Sequence, residues 1–299
     1  MDCLVTGGTG FIGSELCRFL SASGHSLTVL SRDPARATRL LPPGTRCIAS
    51  LADLRAHDAF GAVINLAGEP IAAARWSPAR KRLLAASRID LTRDLVAWMA
   101  RAVHTPGVLL SASAVGFYGD QSDTPLTEQS PPHIEYQHEL CHGWEEAARE
   151  AESLGVRTAV LRIGLVVGRN GGFLQRMLPP FRLGLGGPVG HGRQWMSWVH
   201  RDDVLGMIEW LLGRDDLQGV FNVTAPLPVT SRDFAQALGA VLHRPAVLPV
   251  PAPVLKLAFG EMSTLLLTGQ RVLPARAERE GYRFRFADIR SALAEAVGK

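Results

Sequence analysis

Three glycines lie close to the N-terminus at a spacing that suits phosphate binding. Gly7, Gly10 and Gly13 follow a strand-like run, and an amphipathic segment follows them. The chain must turn tightly after the strand, and its amide groups can approach a diphosphate only where no Cβ intervenes. A strand, turn and helix without a ligand would fit the same residues, but the flanks favour a nucleotide site. The predicted contact residues of this turn are Gly7, Thr9, Gly10, Phe11, Ile12 and Gly13.

A second group of residues selects the dinucleotide. Ser31 and Arg32 follow the next strand-like segment, and Arg36 lies one helical turn later. A carboxylate at this place binds the ribose 2′-hydroxyl of NAD, whereas a guanidinium binds the 2′-phosphate of NADP. Asp33 does not fit an NADP site, because a carboxylate here would suit NAD. It precedes Pro34, however, and can cap the following helix instead. The sequence therefore predicts NADP(H), with Ser31 and Arg32 as contacts; a solvated surface role for Arg32 is the alternative.

Two further segments are expected to reach the same ligand. Asn65 ends a buried strand, and a short turn follows it. Small residues at the carboxyl end of a parallel strand let a ligand lie across the sheet edge, although a plain turn explains them equally. Arg162 lies near the end of a later strand, where it would bind an anion or pair with a buried carboxylate. The residues predicted on the cofactor side are Leu66, Ala67, Gly68, Glu69 and Arg162.

The elements that must position these residues follow from the hydrophobic pattern. Short apolar runs alternate with amphipathic ones, which predicts parallel β-α-β units and an α/β fold with a doubly wound sheet. The pattern changes near Gly168. We predict a nucleotide-binding domain over 1–168, a returning strand near 197–224, and a smaller, mostly helical lobe over 169–299. The predicted strands are 2–6, 26–30, 62–66, 108–112, 156–161 and 220–223, and the main predicted helices are 11–22, 87–102 and 134–153.

Composition excludes several classes of protein. Of the 299 residues, 46% are apolar and 20% are charged, which is typical of a folded globular chain. The net charge is only +4, and no block of Lys and Arg is present, so nucleic acid is not an expected partner. No apolar run is long enough to span a bilayer, so no membrane partner is expected. Four cysteines without a Cys-x-x-Cys pair favour a reducing compartment, and a cytoplasmic location is predicted.

Several motifs together resemble the extended short-chain dehydrogenase/reductase superfamily. They are the glycine turn at 7–13, Asn-Leu-Ala-Gly at 65–68, Ser-Ala-Ser at 111–113 and Leu-Arg-Ile-Gly at 161–164. More narrowly, the chain resembles the YfcH-like branch of the NAD-dependent epimerase/dehydratase family, through Gly-Glu-Pro-Ile at 68–71, Trp-Val-His-Arg-Asp at 198–202 and Gln-Arg-Val-Leu-Pro at 270–274. The likeness covers nearly the whole chain. It implies a Rossmann fold with a small C-terminal lobe, NADP(H) as cofactor and, by analogy, a homodimer.

The same resemblance raises the question of catalysis. Enzymes of the superfamily use a Ser or Thr, a Tyr and a Lys four residues after that Tyr, and the Lys lowers the pKa of the Tyr. Aligning Glu145 with the family's helix glutamate puts Gln137 and Cys141 where the Tyr and Lys belong. Tyr136 is one residue away, which rotates a helical side chain by about 100°.

With that pair absent, the proton donor must be another group. Ser113 best matches the family's serine, and Ser111 is an alternative. Tyr136, Tyr118, His138 or a bound water could donate the proton, although Tyr118 suits packing better. We predict Ser113, Tyr136 and His138 as the catalytic candidates.

One motif points to a different chemistry. The stretch from His138 to His142 reads His-Glu-Leu-Cys-His, which on a helix would present two imidazoles to zinc with Glu139 as the base. It lies in a crossover helix with polar flanks, and no third ligand is evident. No metal site is therefore predicted.

The favoured function is an NADP(H)-dependent oxidoreductase that exchanges hydride with the carbonyl or alcohol carbon of a small-molecule substrate held near Ser113. Two alternatives stay open. The first is an NADPH-binding sensor or partner-binding protein with weak catalysis, which the missing Tyr/Lys pair favours. The second is a nucleotide-sugar epimerase, which would need a base that this sequence lacks.

Overall fold

The apolar runs of the sequence form a parallel sheet in the computed structural model, which describes residues 1–55 and 57–299. In chain order, the strands of the described residues are β1 (Asp2–Thr6), β2 (Ser26–Leu30), β3 (Arg46–Ile48), β4 (Ala62–Asn65), β5 (Val108–Ala114), β6 (Pro125–Leu126), β7 (Arg157–Ile163), β8 (Leu165–Val167), β9 (Trp195–Met196), β10 (Trp198–His200), β11 (Gly219–Val223), β12 (Val229–Thr230) and β13 (Arg271–Val272). Seven of them form the sheet in the order β11-β7-β5-β4-β1-β2-β3, and every neighbouring pair is parallel. The predicted α/β class is confirmed.

Helices cover both faces of this sheet, so the central strands are buried almost throughout and read as continuous apolar runs. The helices are α1 (Gly13–Ala22), α2 (Pro34–Leu40), α3 (Pro78–Ala85), α4 (Leu91–Met99), α5 (Tyr136–Arg149), α6 (Gly172–Arg182), α7 (Arg201–Leu212), α8 (Ser231–Leu242), α9 (Ala252–Phe259), α10 (Thr264–Leu267), α11 (Ala275–Arg279) and α12 (Ile289–Val297). Among the described residues, no helix is long and apolar enough to cross a membrane.

The strand order reverses direction at β1, which pairs with β2 on one side and β4 on the other. In a doubly wound sheet this reversal leaves a crevice beyond the carboxyl ends of the two central strands. Thr6 and Asn65 are the last residues of β1 and β4, and they are joined by a 2.7 Å hydrogen bond from Thr6 Oγ1 to Asn65 Oδ1. The Asn65 amide donates onward to Ser111 Oγ at 3.1 Å. This buried polar row joins the carboxyl ends of β1 and β4 to the middle of β5.

Element bounds differ from the predictions in instructive places. The first helix begins at Gly13 instead of residue 11, because Phe11 and Ile12 still belong to the turn. The predicted helix 87–102 is the end of a longer helical run in which α3 continues through a π-helical segment, Ala86–Asp90, into α4. The predicted helix 134–153 is shorter at both ends, since α5 begins at Tyr136 and becomes a 3₁₀ helix at Glu150–Leu154.

The C-terminal part is mostly helical and has a core of its own. Trp198, Phe234 and Leu238 pack with Leu293 of α12 in this second core. Strand β11 returns from this part of the chain to pair with β7 at the sheet edge, close to the expected 220–223. The division into domains at residue 168 stays a prediction.

Candidate functional site

A cleft of about 900 Å³ opens at the carboxyl ends of β1, β2 and β4. Most of the predicted cofactor residues meet there: Gly7, Thr9, Gly10, Ser31, Arg32, Leu66, Ala67, Gly68 and Glu69 all line it. Additional walls come from Asp33, Arg36, Ser87, Leu91, Asp94 and Arg101. The predicted residues Phe11, Ile12, Gly13 and Arg162 are not among the lining residues.

The three glycines of the turn are needed for different structural reasons. Gly7 has φ +69°, and a Cβ there would lie 2.6 Å from the Leu66 carbonyl oxygen. At Gly13 a Cβ would lie 2.2 Å from the Gly7 carbonyl oxygen, so both positions require glycine for the backbone to pack. A Cβ at Gly10 would meet only the Gly7 oxygen, at 3.2 Å. Gly10 therefore leaves open space toward the cleft, where a Cβ would stand between a ligand and the turn.

Phe11 faces away from the cleft. A Cβ on Gly171 would lie 2.4 Å from its ring, and one on Gly172 would lie 2.9 Å away. The Arg201 guanidinium stands 5.0 Å from the centre of the same ring. Ile12 packs against the main core. Neither of these two predicted side chains lines the cleft.

Arg32, the residue predicted to select the dinucleotide, forms an ion pair with Glu69 in the cleft. Glu69 Oε1 lies 2.5 Å from Arg32 Nη1. The Arg32 side chain is 92% exposed whereas that of Glu69 is 15% exposed, so the arginine is the freer partner. Arg80 also approaches Glu69, at 3.4 Å. The hydrogen bond from Arg32 is the main cause that lowers the pKa of Glu69, which is therefore ionised at neutral pH.

Asp33 is engaged elsewhere. One of its carboxylate oxygens accepts a 2.9 Å hydrogen bond from the Arg36 amide and caps α2, as its position before Pro34 led us to expect. The acidic residue that seemed discordant is thus accounted for by helix capping.

The π-helical segment supplies two groups that the sequence did not single out as site residues. Ser87 Oγ accepts a hydrogen bond from the Glu69 amide, and Arg88 Nη2 donates to the Glu69 carbonyl at 2.9 Å. The Arg88 guanidinium lies 5.3 Å from the ring of Trp144, and burial lowers its pKa. A Cβ on Gly68 would come within 3.0 Å of it. The pair Ser87-Arg88 therefore holds the turn at 68–69 in place, and π-helical turns often occur at such sites.

A buried ionic network lies behind the cleft. Arg162 binds Glu145 with two hydrogen bonds, Nε to Oε1 at 2.8 Å and Nη2 to Oε2 at 2.9 Å. Ser113 Oγ donates to the same Oε1 at 2.8 Å. Arg162 Nη1 also donates to the Tyr118 hydroxyl, which donates to Asn222 Oδ1 at 2.7 Å. Of the two interpretations given for Arg162, the structure shows the pair with a buried carboxylate.

This network determines the hydrogen bonding of Ser113, a catalytic candidate, and of Tyr118, a possible proton donor. The proton of the Ser113 hydroxyl points to Glu145, so this serine can offer a substrate only its lone pairs. Burial raises the pKa of Tyr118 to about 12, and its hydroxyl is already bound to Arg162 and Asn222. Tyr118 therefore acts in packing and in the network, as its setting in the sequence suggested.

Tyr136 and His138 differ in their hydrogen bonding. The Tyr136 hydroxyl is buried without a hydrogen-bond partner, and its ring lies 4.8 Å from Trp76 and 4.3 Å from Lys81 Nζ. Burial raises the pKa of Tyr136, and the positive charge of Arg88 opposes that rise. His138 Nδ1 lies 2.7 Å from the Phe117 carbonyl oxygen, so this nitrogen carries a proton and is occupied.

The two positions of the missing pair carry neutral groups. Gln137 Nε2 donates to Thr264 Oγ1 of α10 at 3.3 Å, which joins the start of α5 to the C-terminal part. Burial raises the pKa of the Cys141 thiol to about 11, so it is uncharged at neutral pH. Among the described residues, His, Cys, Asp and Glu form no group of three that could hold a metal ion.

Comparison with known proteins places these features in a family. The chain matches the NAD dependent epimerase/dehydratase family over residues 3–224 and a Domain of unknown function (DUF1731) over residues 250–296. An Arabidopsis thaliana protein, Epimerase family protein SDR39U1 homolog, chloroplastic, is 41% identical over 98% of this chain and 86% of its own length. Epimerase family protein YfhF of Bacillus subtilis is 36% identical over 99% of this chain and 98% of its own length.

A solved structure supports the same relationship. The crystal structure of human epimerase family protein SDR39U1 (isoform2) with NADPH has a TM-score of 0.89 and 35% sequence identity. The match covers 100% of this chain and 99% of the human one. With the glycine turn, the cleft at the strand reversal and this coverage taken together, the chain belongs to the NAD dependent epimerase/dehydratase family.

Proposed function

We propose that this chain binds NADP(H) in the cleft beyond β1, β2 and β4 and acts as an oxidoreductase on the carbonyl or alcohol group of a small molecule. The observation that carries the proposal is that Arg32, Arg36 and the open glycine Gly10 line the same cleft. The human relative, whose structure is described as containing NADPH, supports the choice of dinucleotide. A cytoplasmic location and a homodimer remain predictions.

The cleft fits the dinucleotide on the chemistry of its lining. Bare amides of the turn suit a diphosphate, and the guanidinium groups of Arg32 and Arg36 suit an additional phosphate monoester. Asp33 uses one carboxylate oxygen to cap α2. When bound, the nicotinamide ring would supply or accept hydride.

Ser113 and Tyr136 differ in whether their hydroxyl groups can donate a proton to a substrate. Ser113 can orient a substrate hydroxyl but cannot donate to a carbonyl while its proton is held by Glu145. Two of the three candidates carry a hydroxyl, and that of Tyr136 has no hydrogen-bond partner in the described structure, while its raised pKa keeps it protonated. Tyr136 is therefore the proton donor that we favour for carbonyl reduction.

A second candidate function is NADPH binding without appreciable turnover. The engagement of Ser113 with Glu145 and the neutral groups at Gln137 and Cys141 favour it, because each group is committed to a structural contact or uncharged. Under this alternative the protein would report the state of the NADPH pool to a partner.

Fluorescence titration with NADPH, followed by a panel of carbonyl substrates, distinguishes the two. Binding with cofactor-stoichiometric turnover that Tyr136→Phe removes supports the oxidoreductase. Binding without turnover on any substrate supports the sensor. Absence of NADPH binding would overturn both.

Replacing Gly10 with Ala should separate folding from cofactor binding. The new Cβ meets only the Gly7 oxygen at 3.2 Å, so Gly10→Ala should fold with a melting temperature close to wild type. Because that Cβ stands where the diphosphate approaches, affinity for NADPH and NADH should fall together by roughly tenfold or more. Gly7→Ala, at φ +69° and 2.6 Å from Leu66, should instead lower the melting temperature. A Gly10→Ala variant that binds both dinucleotides normally would place them elsewhere.

Neutralising Glu69 should tighten NADPH binding. Its carboxylate holds Arg32 at 2.5 Å and would share that guanidinium with the 2′-phosphate, and two anions in one cleft repel each other. Glu69→Gln should raise NADPH affinity by roughly tenfold, about 1.4 kcal/mol, and leave NADH unchanged. Asp94→Asn is the matched control, since it removes a charge from the same cleft without a contact to Arg32. Weaker NADPH binding by Glu69→Gln would show that Glu69 positions Arg32 for the phosphate.

A further inference from the structure

Several exposed aliphatic side chains lie in two neighbouring segments of the C-terminal part, the loop after α6 and the chain that leads into α9. Leu257, Leu183 and Val247 are 81%, 74% and 73% exposed, and the others are each more than a third exposed. We call this set the C-terminal apolar surface; its members are Leu183, Leu185, Val247, Leu248, Val250, Val254 and Leu257. Apolar patches of this kind, unlike single exposed residues, mark interaction sites on soluble proteins.

Two segments that are distant in sequence build this surface. Backbone hydrogen bonds from Leu248 to Gly186 (3.1 Å) and from Val250 to Pro188 (3.0 Å) tie the segment before α9 to the loop after α6. Val254 and Leu257 are three residues apart on α9, so they share one helical face that continues the surface. The apolar side chains are therefore held in place by backbone contacts.

The charged residues that the two segments themselves carry have a single sign. Residues 153–201 and 234–260, which contain both segments, include no Asp or Glu. Arg182, Arg244 and Lys256 are exposed there, and Arg244 Nε donates to the Arg182 carbonyl at 3.0 Å. The two acidic residues that flank the second stretch are both engaged, since Asp233 closes a capping box at the start of α8 and Glu261 pairs with Lys81 at 2.6 Å. The surface thus presents aliphatic groups among positive charges, in a protein whose net charge is only +4.

We infer that the C-terminal apolar surface binds the face of an anionic lipid bilayer. Aliphatic side chains that enter the headgroup boundary, together with cations that meet lipid phosphates, are the two contributions that peripheral membrane binding requires. The sequence predicted no membrane partner because no segment can span a bilayer, but a peripheral surface needs no spanning segment. The feature appears only when the fold joins residues 183–190 to 245–257.

A second copy of this chain suits the surface less well. A two-fold contact sets the same patch of both subunits together, which would bring the cations of each rim against those of the other. A peptide partner would be expected to bind in a groove or along a sheet edge. The cavities of about 900 and 360 Å³ both lie on the cofactor side of the molecule, away from this surface.

Sedimentation with vesicles tests the inference on the full chain with NADPH present. We expect the protein to pellet with vesicles of mixed phosphatidylcholine and phosphatidylglycerol, to stay in solution with phosphatidylcholine alone, and to be released by high salt. Leu183→Asp/Leu257→Asp should lower the partition constant at least tenfold. Arg244→Glu/Lys256→Glu should lower it by roughly fivefold or more for each cation removed.

Two matched controls lie outside the surface. Val103→Asp removes an apolar residue that is 61% exposed, and Arg39→Glu reverses an exposed charge on α2; both should bind vesicles like wild type. Circular dichroism and NADPH binding verify that every variant folds. The inference is overturned if wild type stays in solution with anionic vesicles or if the surface variants bind as wild type does. It is equally overturned if the apolar variant instead turns a dimer into a monomer, which would make a second copy the occupant.

Discussion

Arg32→Glu should weaken NADPH binding by roughly 100-fold, about 2.8 kcal/mol, while NADH affinity changes little. The substitution replaces a guanidinium that can bind the 2′-phosphate with a carboxylate that repels it. The new carboxylate would also stand near Glu69, which lies 2.5 Å from Arg32 and would be left with Arg80 as its remaining cation. Isothermal calorimetry with both dinucleotides measures the difference directly.

Arg39→Glu is the control for this experiment. Arg39 is exposed on α2, the short helix that follows Arg32, but it does not line the cleft. Its reversal changes the net charge equally and should alter the ratio of NADPH to NADH affinity very little. Equal losses for both dinucleotides in Arg32→Glu would mean that Arg32 does not read the 2′-phosphate.

The largest loss of stability is expected from Arg162→Leu. The variant leaves Glu145 fully buried without the two hydrogen bonds that it receives from Arg162. Removing one partner of a buried ion pair typically costs about 3–5 kcal/mol, because a desolvated charge remains. Urea unfolding followed by circular dichroism measures this change.

Arg149→Leu provides the matched comparison for the same carboxylate. Arg149 reaches Glu145 Oε2 at 3.0 Å from a side chain that is one third exposed, so its loss should cost no more than about 1 kcal/mol. The double variant Glu145→Leu/Arg162→Leu removes both charges and should recover part of the stability. If Arg162→Leu costs no more than Arg149→Leu, the network is not a buried ionic centre.

The sequence predicted those parts of the fold and site that depend on local pattern. Alternating apolar and amphipathic runs located most strands of the sheet to within one or two residues. The glycine turn and Arg32 were identified because a strand end, a tight turn and a helix start lie next to each other in the chain. Capping was offered as the alternative role of Asp33 because it precedes Pro34, and the structure shows that cap.

Contacts between distant residues could not be predicted in the same way. The opposition of Arg32 and Glu69 joins residues 37 positions apart, and nothing in either segment signals the other. Arg162 was left between two roles because its choice of Glu145 depends on how α5 packs against β7. The π-helical segment at Ala86–Asp90 has no simple sequence signature, although Ser87-Arg88 formed part of the resemblance and could have drawn attention to it.

These long-range contacts bear on catalysis as well as on stability. Ser113, which best matches the serine of the superfamily, donates a hydrogen bond to Glu145 of the buried ion pair. The sequence alone did not identify Glu145 as its partner. Tyr136 is favoured as a proton donor because the structure shows its hydroxyl without a hydrogen-bond partner.

We expect the opening turn and the arginines after β2 to bind NADP(H) in preference to NAD(H). Titration of the wild-type protein with NADPH and NADH in the same buffer, monitored by energy transfer from its six tryptophans, tests it most directly. We predict saturable binding of both, with NADPH at least tenfold tighter, and a preference that shrinks as salt screens the phosphate contact. Binding of neither dinucleotide, or an equal or greater affinity for NADH, would contradict the account.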